Sequence, residues 1–117
     1  MEFKKKQTIY MQIANFICEN ILTNSWPENE KISSVRELAA TIEVNPNTIM
    51  RSYSYLQESD IIYNKRGIGY FVSEGASDKI LAMQKKEFLD LEMPAFIKRM
   101  KLLEVDLDTF KKHYNNK

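Results

Sequence analysis

Apolar residues recur every three or four positions near the start of the chain. Ile9, Ile13, Phe16, Ile17 and Ile21 draw one stripe between Thr8 and about Asn24, the spacing of an amphipathic helix. Trp26-Pro27-Glu28-Asn29-Glu30 breaks that rhythm as a turn, and Lys31-Ile32 follows as a short extended piece. A second helix is predicted from Ser34 to about Glu43, with Val35, Leu38, Ala39 and Ile42 turned inward. A third, from Pro46 to about Glu58, buries Ile49, Tyr53 and Leu56 and leaves Asn47, Thr48, Arg51 and Ser52 outward. The period then changes. Ile61-Ile62-Tyr63 and Tyr70-Phe71-Val72 are β-rich runs around the polar, glycine-containing Asn64-Lys65-Arg66-Gly67-Ile68-Gly69, which predicts a β-hairpin.

Beyond Ser73-Glu74-Gly75-Ala76-Ser77 no strand signal remains, and the chain reads as helix rich in Lys, Leu, Met and Phe. Pro94 should start a new helix or kink a long one, and Asp106 can cap a last helix bearing Leu107, Phe110 and Tyr114. The division expected is residues 1–75 as one domain and 76–117 as a helical tail. Some 40 residues with this many large apolar groups cannot close a core alone. Leu89, Met93, Phe96, Ile97, Met100, Leu103 and Phe110 are therefore predicted to face a second copy of the chain.

Local chemistry sharpens the middle of the chain. Ser34 followed by Glu37 is a capping box, each side chain answering the other residue's backbone amide. About eleven residues later Asn45 supplies a second N-cap, and Pro46 takes the first helical position, where a missing N–H costs nothing. Two short helices joined this tightly form a helix-turn-helix, whose second helix enters a DNA major groove. That helix opens with Asn45, Asn47, Thr48 and Arg51, all able to hydrogen-bond to bases or phosphates. Three helices followed by a hairpin is the winged-helix order. In the wing, Gly67 and Gly69 let the backbone approach a duplex, with Lys65 and Arg66 beside them. The predicted fold is mainly α with a small β-hairpin: a winged helix-turn-helix followed by a helical dimerisation tail.

Composition narrows the function classes. At 44% hydrophobic and 28% charged, with glycine and proline scarce, the chain is globular rather than disordered. The net charge of +1 gives no broad electropositive surface, and residues 1–75 hold eight Lys and Arg against nine Asp and Glu. Placement matters more than the sum: no acid stands between Asn45 and Gln57, and Lys65-Arg66 sits in a turn. A single cysteine, Cys18, and a single histidine, His113, far apart in sequence, assemble neither a nucleophilic pair nor a metal cluster. No enzyme activity, cofactor or metal is expected. Lys4-Lys5-Lys6 ahead of an apolar run has the order of a secretory signal. Gln12, Asn15, Glu19 and Asn20 interrupt that run, so it reads as an amphipathic helix of a cytoplasmic protein without membrane association.

Four landmarks, in order and at the right separations, resemble the GntR family of bacterial transcription regulators between about Ile9 and Val72. They are Tyr10-Met11-Gln12-Ile13-Ala14, Ser34-Val35-Arg36-Glu37-Leu38-Ala39, Val44-Asn45-Pro46-Asn47-Thr48-Ile49-Met50-Arg51 and Arg66-Gly67-Ile68-Gly69-Tyr70-Phe71-Val72. The short helical tail is similar to that of the YtrA subfamily, which carries a compact dimerisation tail in place of a ligand-binding domain. The resemblance implies DNA contacts by Arg36 on the second helix, by Thr48 and Arg51 on the third, and by the wing glycines. Asp60 and Asn29 stand at customary glycines of the family, so a left-handed backbone is expected at Asp60. The expected function is a sequence-specific DNA-binding regulator acting as a homodimer on an inverted-repeat operator, in the sense of a repressor. The competing class is a winged-helix module for protein interaction. The expected DNA-contacting set is Ser34, Arg36, Asn45, Pro46, Asn47, Thr48, Arg51, Lys65, Arg66, Gly67 and Gly69. No residue points to a small-molecule effector.

Overall fold

The computed structural model of the chain describes residues 7–116. Lys4-Lys5-Lys6 of the signal-like start lie outside the described residues. In chain order the elements are α1 (Ile9–Leu22), α2 (Val35–Ile42), α3 (Pro46–Glu58), β1 (Ile62–Lys65), β2 (Gly69–Val72), α4 (Ala76–Glu87), a π-helical turn (Phe88–Glu92), α5 (Met93–Leu102) and α6 (Leu107–Asn115). This is the predicted order of three helices, a hairpin and a helical tail. Two compact units divide between Leu81 and Ala82, inside α4.

The first unit holds every buried apolar side chain among the described residues, from Ile13 to Ile80. α1 gives Ile13, Ala14, Ile17, Cys18 and Ile21; α2 gives Leu38 and Ala39; α3 gives Ile49, Tyr53 and Leu56; the hairpin gives Ile62 and Val72. Ile9 and Phe16, expected in the stripe of α1, stand 60% and 46% exposed. At about 100° per residue, Ile13, Ile17, Ile21, Ala14 and Cys18 span an arc of about 140°. Ile9 and Phe16 fall beyond one edge of that arc. Ala14 and Cys18, small enough for close approach, take the centre and far side instead.

Ser52 is a second correction. Expected to face outward, it is fully buried, and its hydroxyl donates to the Tyr10 carbonyl at 2.7 Å. α3 packs against both α1 and α2, so its buried arc is wider than Ile49, Tyr53 and Leu56 alone describe. A small hydroxyl lets α1 come close and finds an acceptor there, as a buried polar group must.

β1 and β2 pair antiparallel from Ile62 opposite Val72 to Lys65 opposite Gly69. The extended Lys31-Ile32 lies along the other edge of β2. Lys31 bridges Phe71, the Ile32 amide donates to the Tyr70 carbonyl at 2.9 Å, and the Val72 amide donates to the Glu30 carbonyl at 3.1 Å. The wing is thereby anchored to the loop ahead of α2. α3 ends in a left-handed residue, Asp60, at φ 61, and Asn29 also has positive φ, at 69. The Ile61 amide reaches back to the Leu56 carbonyl at 2.9 Å, closing the helix end by a Schellman pattern.

In the second unit no residue is buried among Ala82–Asn116. Ahead of Pro94 the helical run continues without a break, but the Met93 amide bonds five residues back, to the Phe88 carbonyl. Pro94 lacks an N–H, and its ring would strike the carbonyl four residues earlier, so the turn before it widens. α5 closes through Glu104, at φ 57, with the Val105 amide on the Met100 carbonyl at 2.8 Å. Asp106 caps α6 as predicted, accepting from the Thr109 amide at 2.9 Å. Phe96 of α5 meets Phe110 of α6 edge-on at 5.9 Å, and Phe110 meets Tyr114 at 6.0 Å.

Candidate nucleic-acid interface

The turn between α2 and α3 is set by backbone bonds that the local sequence supplies. The Ser34 hydroxyl accepts from the Glu37 amide at 3.0 Å, and the Ser34 amide donates to the Glu37 carboxylate at 2.9 Å. At the other end Glu43 takes φ 57, and the Val44 amide closes on the Ala39 carbonyl at 3.0 Å. Asn45 then caps α3, its side-chain oxygen accepting from the Asn47 amide at 2.8 Å, with Pro46 in the first turn. The cap uses the oxygen of Asn45 and leaves its amide NH2 to point elsewhere.

Tyr53 locks this arrangement. Its ring is fully buried, edge-on to Tyr70 at 4.9 Å, and its hydroxyl donates to the Ser33 carbonyl at 2.7 Å. Burial, with Tyr70 and Glu37 adding to it, pushes the phenol well above the ordinary tyrosine range. One side chain of α3 thus ties the recognition helix to the residue before the cap of α2 and to the wing.

The expected contact residues fall into three groups on this unit. Asn45, Pro46, Asn47 and Arg51 are exposed in the opening turns of α3, and Thr48 is half-buried. Ser34 and Arg36 open α2, half-buried and exposed. Lys65, Arg66 and Gly67 are exposed at the wing tip, with Gly69 half-buried behind them. Among the described residues the ion pair within 4 Å is Lys86 with Asp90, so these cations are not neutralised by a neighbouring carboxylate there.

The wing tip is a four-residue turn closed by the Ile68 amide on the Lys65 carbonyl at 2.8 Å, with Gly67 at φ +80 in its third position. Gly69, at φ +140, lies against Lys31: a Cβ there would stand 2.9 Å from Lys31 Cε. Lys65 is held over the Phe71 ring at 4.9 Å, and that ring stacks on Tyr63 at 5.6 Å.

Two residues outside the expected set join it. Lys31 adds a cation against the wing, and Tyr10 lies under Arg51, with the guanidinium carbon 4.2 Å from the ring centroid. Lys31 stood in the sequence as an extended cation, but only strand pairing shows which hairpin it joins. Tyr10 opened a family landmark in the sequence, but nothing there linked it to Arg51, 41 positions away on another helix.

Other titratable groups serve the fold. Burial pushes the Cys18 thiol up to about 11, so it stays protonated and unreactive. Glu28 accepts the Gly75 and Ser77 amides at 2.8 and 3.1 Å, capping the start of α4, and those bonds lower its pKa. Among the described residues no three metal-ligating side chains gather, and no helix is long and apolar enough to cross a membrane.

In the tail, Leu89, Phe96, Ile97 and Leu103 are exposed, and Met93, Met100 and Phe110 are half-buried. Leu91 and Leu102, not in the expected set, are more open still, at 65% and 78%.

Residues 9–72 match the model of the bacterial regulatory proteins of the gntR family. The chain is similar to the HTH-type transcriptional regulator YhcF of Bacillus subtilis, 36% identical over 104 residues, covering 87% of this chain and 83% of the relative. It is also similar to the HTH-type transcriptional repressor YtrA of Bacillus subtilis, 38% identical over 73 residues, 62% of this chain and 56% of the relative. A solved GntR family transcriptional regulator from Listeria monocytogenes superposes with a TM-score of 0.76 at 30% identity, covering 98% of this chain and 99% of the other.

Proposed function

The chain belongs to the gntR family of bacterial regulatory proteins, and on that premise we propose that it is a cytoplasmic homodimeric repressor reading an inverted-repeat operator. The observation that carries this reading is the opening of α3. There Asn47 and Arg51 stand exposed with no acid between Asn45 and Gln57, on a helix whose entry is fixed by two caps. Asn47 presents an amide to an adenine edge and Arg51 a cation to guanine or phosphate, and good bidentate base contacts are worth ~1–3 kcal/mol each. Ser34, Arg36, Asn45, Pro46 and Thr48 set the register of the helix on the duplex. Lys65 and Arg66, with Gly67 and Gly69 keeping the backbone low, lie against the neighbouring backbone or minor groove, and Lys31 adds to them. Repression follows the similarity to the repressor YtrA.

Dimerisation rests on a different observation: large apolar side chains without a buried position from Ala82 to Asn116. Large apolar side chains left in solvent along a helical segment suit an interface. Leu89, Met93, Phe96, Ile97, Met100, Leu103 and Phe110 form it, with residues 76–117 as the dimerising segment. A two-fold pair of reading heads then dictates two half-sites in inverted order.

Selection of bound duplexes from a random pool by the full chain tests the reading. The expected product is one half-site recovered twice in inverted order. Its binding should weaken by orders of magnitude between ~50 and ~200 mM salt. Sedimentation at micromolar concentration should give a dimer without DNA. Recovery of no sequence, or a salt-insensitive complex, would overturn DNA reading in favour of a protein-docking role. A monomer would overturn the dimer.

A further inference from the structure

Tyr10 is bound to the recognition helix twice, through different atoms. Its carbonyl accepts the buried Ser52 hydroxyl at 2.7 Å, and its ring lies under the Arg51 guanidinium at 4.2 Å. The two ties leave α3 from adjacent residues. The first fixes where the backbone of α1 stands, and through it where the ring stands. The ring in turn fixes the cation. Arg51 is exposed, and among the described residues no carboxylate lies within 4 Å of it.

The kind of partner matters. A carboxylate holding Arg51 would take up its N–H donors and cancel its charge. An aromatic face holds the same cation through the ring quadrupole and leaves the in-plane donors of the guanidinium free for a planar acceptor. An unheld arginine samples many rotamers, and binding must freeze them. The geometry points to Tyr10 as a positioning residue that pre-sets Arg51 for its contact in the duplex, an assignment that rests on the DNA-binding reading above.

A double-mutant cycle on the selected duplex tests it, with the full-length chain throughout. Tyr10→Leu keeps an apolar side chain, though a smaller one, and the backbone carbonyl that Ser52 uses but removes the aromatic face, whereas Tyr10→Phe keeps the ring. Tyr10→Leu should lower affinity about three- to tenfold, the scale of losing one pre-ordered side chain. Tyr10→Phe should bind like the parent, and Tyr10→Leu should cost nothing further in an Arg51→Ala background. Without DNA, the Arg51 side-chain proton resonances should leave their ring-current-shifted positions in Tyr10→Leu alone. An equal loss with and without Arg51, equal behaviour of the Phe and Leu variants, or unchanged affinity of Tyr10→Leu overturns the assignment while leaving the DNA reading intact. If selection yields no duplex, the DNA reading fails and the positioning role fails with it.

Discussion

Tyr53→Phe removes one oxygen from the centre of the helix-turn-helix and nothing else. The ring keeps its buried place and its edge-on contact with Tyr70 at 4.9 Å, so no cavity opens. What disappears is a 2.7 Å bond to the Ser33 carbonyl. A neutral hydrogen bond contributes about 1 kcal/mol net, and a carbonyl left without a partner in a dry site costs about 1–3 kcal/mol. Ser33 is half-buried, so water can reach its carbonyl in part, and the lower end applies. The expected loss is about 1–1.5 kcal/mol, with a Tm decrease of roughly 4–8 °C per kcal/mol for a unit of this size. Urea melts at fixed protein concentration give the difference in midpoint, with the slope unchanged because the surface exposed is the same. A second signature follows from the phenol's pKa, which burial raises from its ordinary value of 10.0. A raised folded pKa gives stability that is complete below the unfolded value and is lost as pH climbs towards the folded one. The parent should therefore lose stability above about pH 10 in a component that Tyr53→Phe lacks. Cys18 contributes a separate decline between its ordinary value of 9.0 and about 11, present in both proteins. Equal urea midpoints for the two proteins would refute the assigned role of the bond. An unchanged alkaline component in Tyr53→Phe would show that another tyrosine carries it.

Glu28 works in the opposite direction of pH. The Gly75 and Ser77 amides lower its pKa from 4.5, so its contribution is present above that value and is lost as pH falls through the lower, folded one. Glu28→Gln should flatten the acid limb of a urea-midpoint profile between pH 3 and 7. Asp60→Gly should raise stability by up to about 1 kcal/mol, read from the same melts. It relieves a left-handed residue at φ 61 and removes an acid from the negative end of α3, while the carbonyl that Lys79 reaches at 3.2 Å remains. Lys65→Ala and Arg66→Ala should each reduce the slope of log affinity against log salt by about one, with little change in base preference, measured on the selected duplex.

Much of the first unit was legible because its information is local. Ser34, Glu37, Asn45 and Pro46 name two helix starts by chemistry acting over three residues, and both caps form with the bonds those residues imply. Asp60 was readable for a related reason: its position in the family pattern calls for left-handed backbone, and it takes φ 61. Periodicity carried the core residues of α2 and α3 but misplaced Ser52, Ile9 and Phe16. A stripe on a helix reports which side is buried, not how wide the buried arc is. The width depends on how many neighbours the helix meets, and α3 meets both α1 and α2.

The Arg51 contact shows the same boundary at the site. Its exposure and its place on α3 follow from spacing, yet its direction is set by a ring on α1 at 4.2 Å. No pattern within α3 encodes that ring. Lys31 is similar, because a cation in an extended dipeptide becomes part of the wing only through its bridge to Phe71. In the tail, sequence and structure meet a common limit. Leu91, Leu102 and Leu107 stand more than 60% exposed, although α5 closes through the turn at Glu104 and α6 is capped by Asp106. Folding of the isolated chain satisfies the backbone of these helices and leaves their apolar faces in water. Backbone bonding is settled within one copy, whereas burial of such faces would be settled only between copies in the proposed dimer. Among the described residues the tail therefore has formed helices without a buried core, and the proposed dimer would release on pairing the hydrophobic free energy that folding leaves unused.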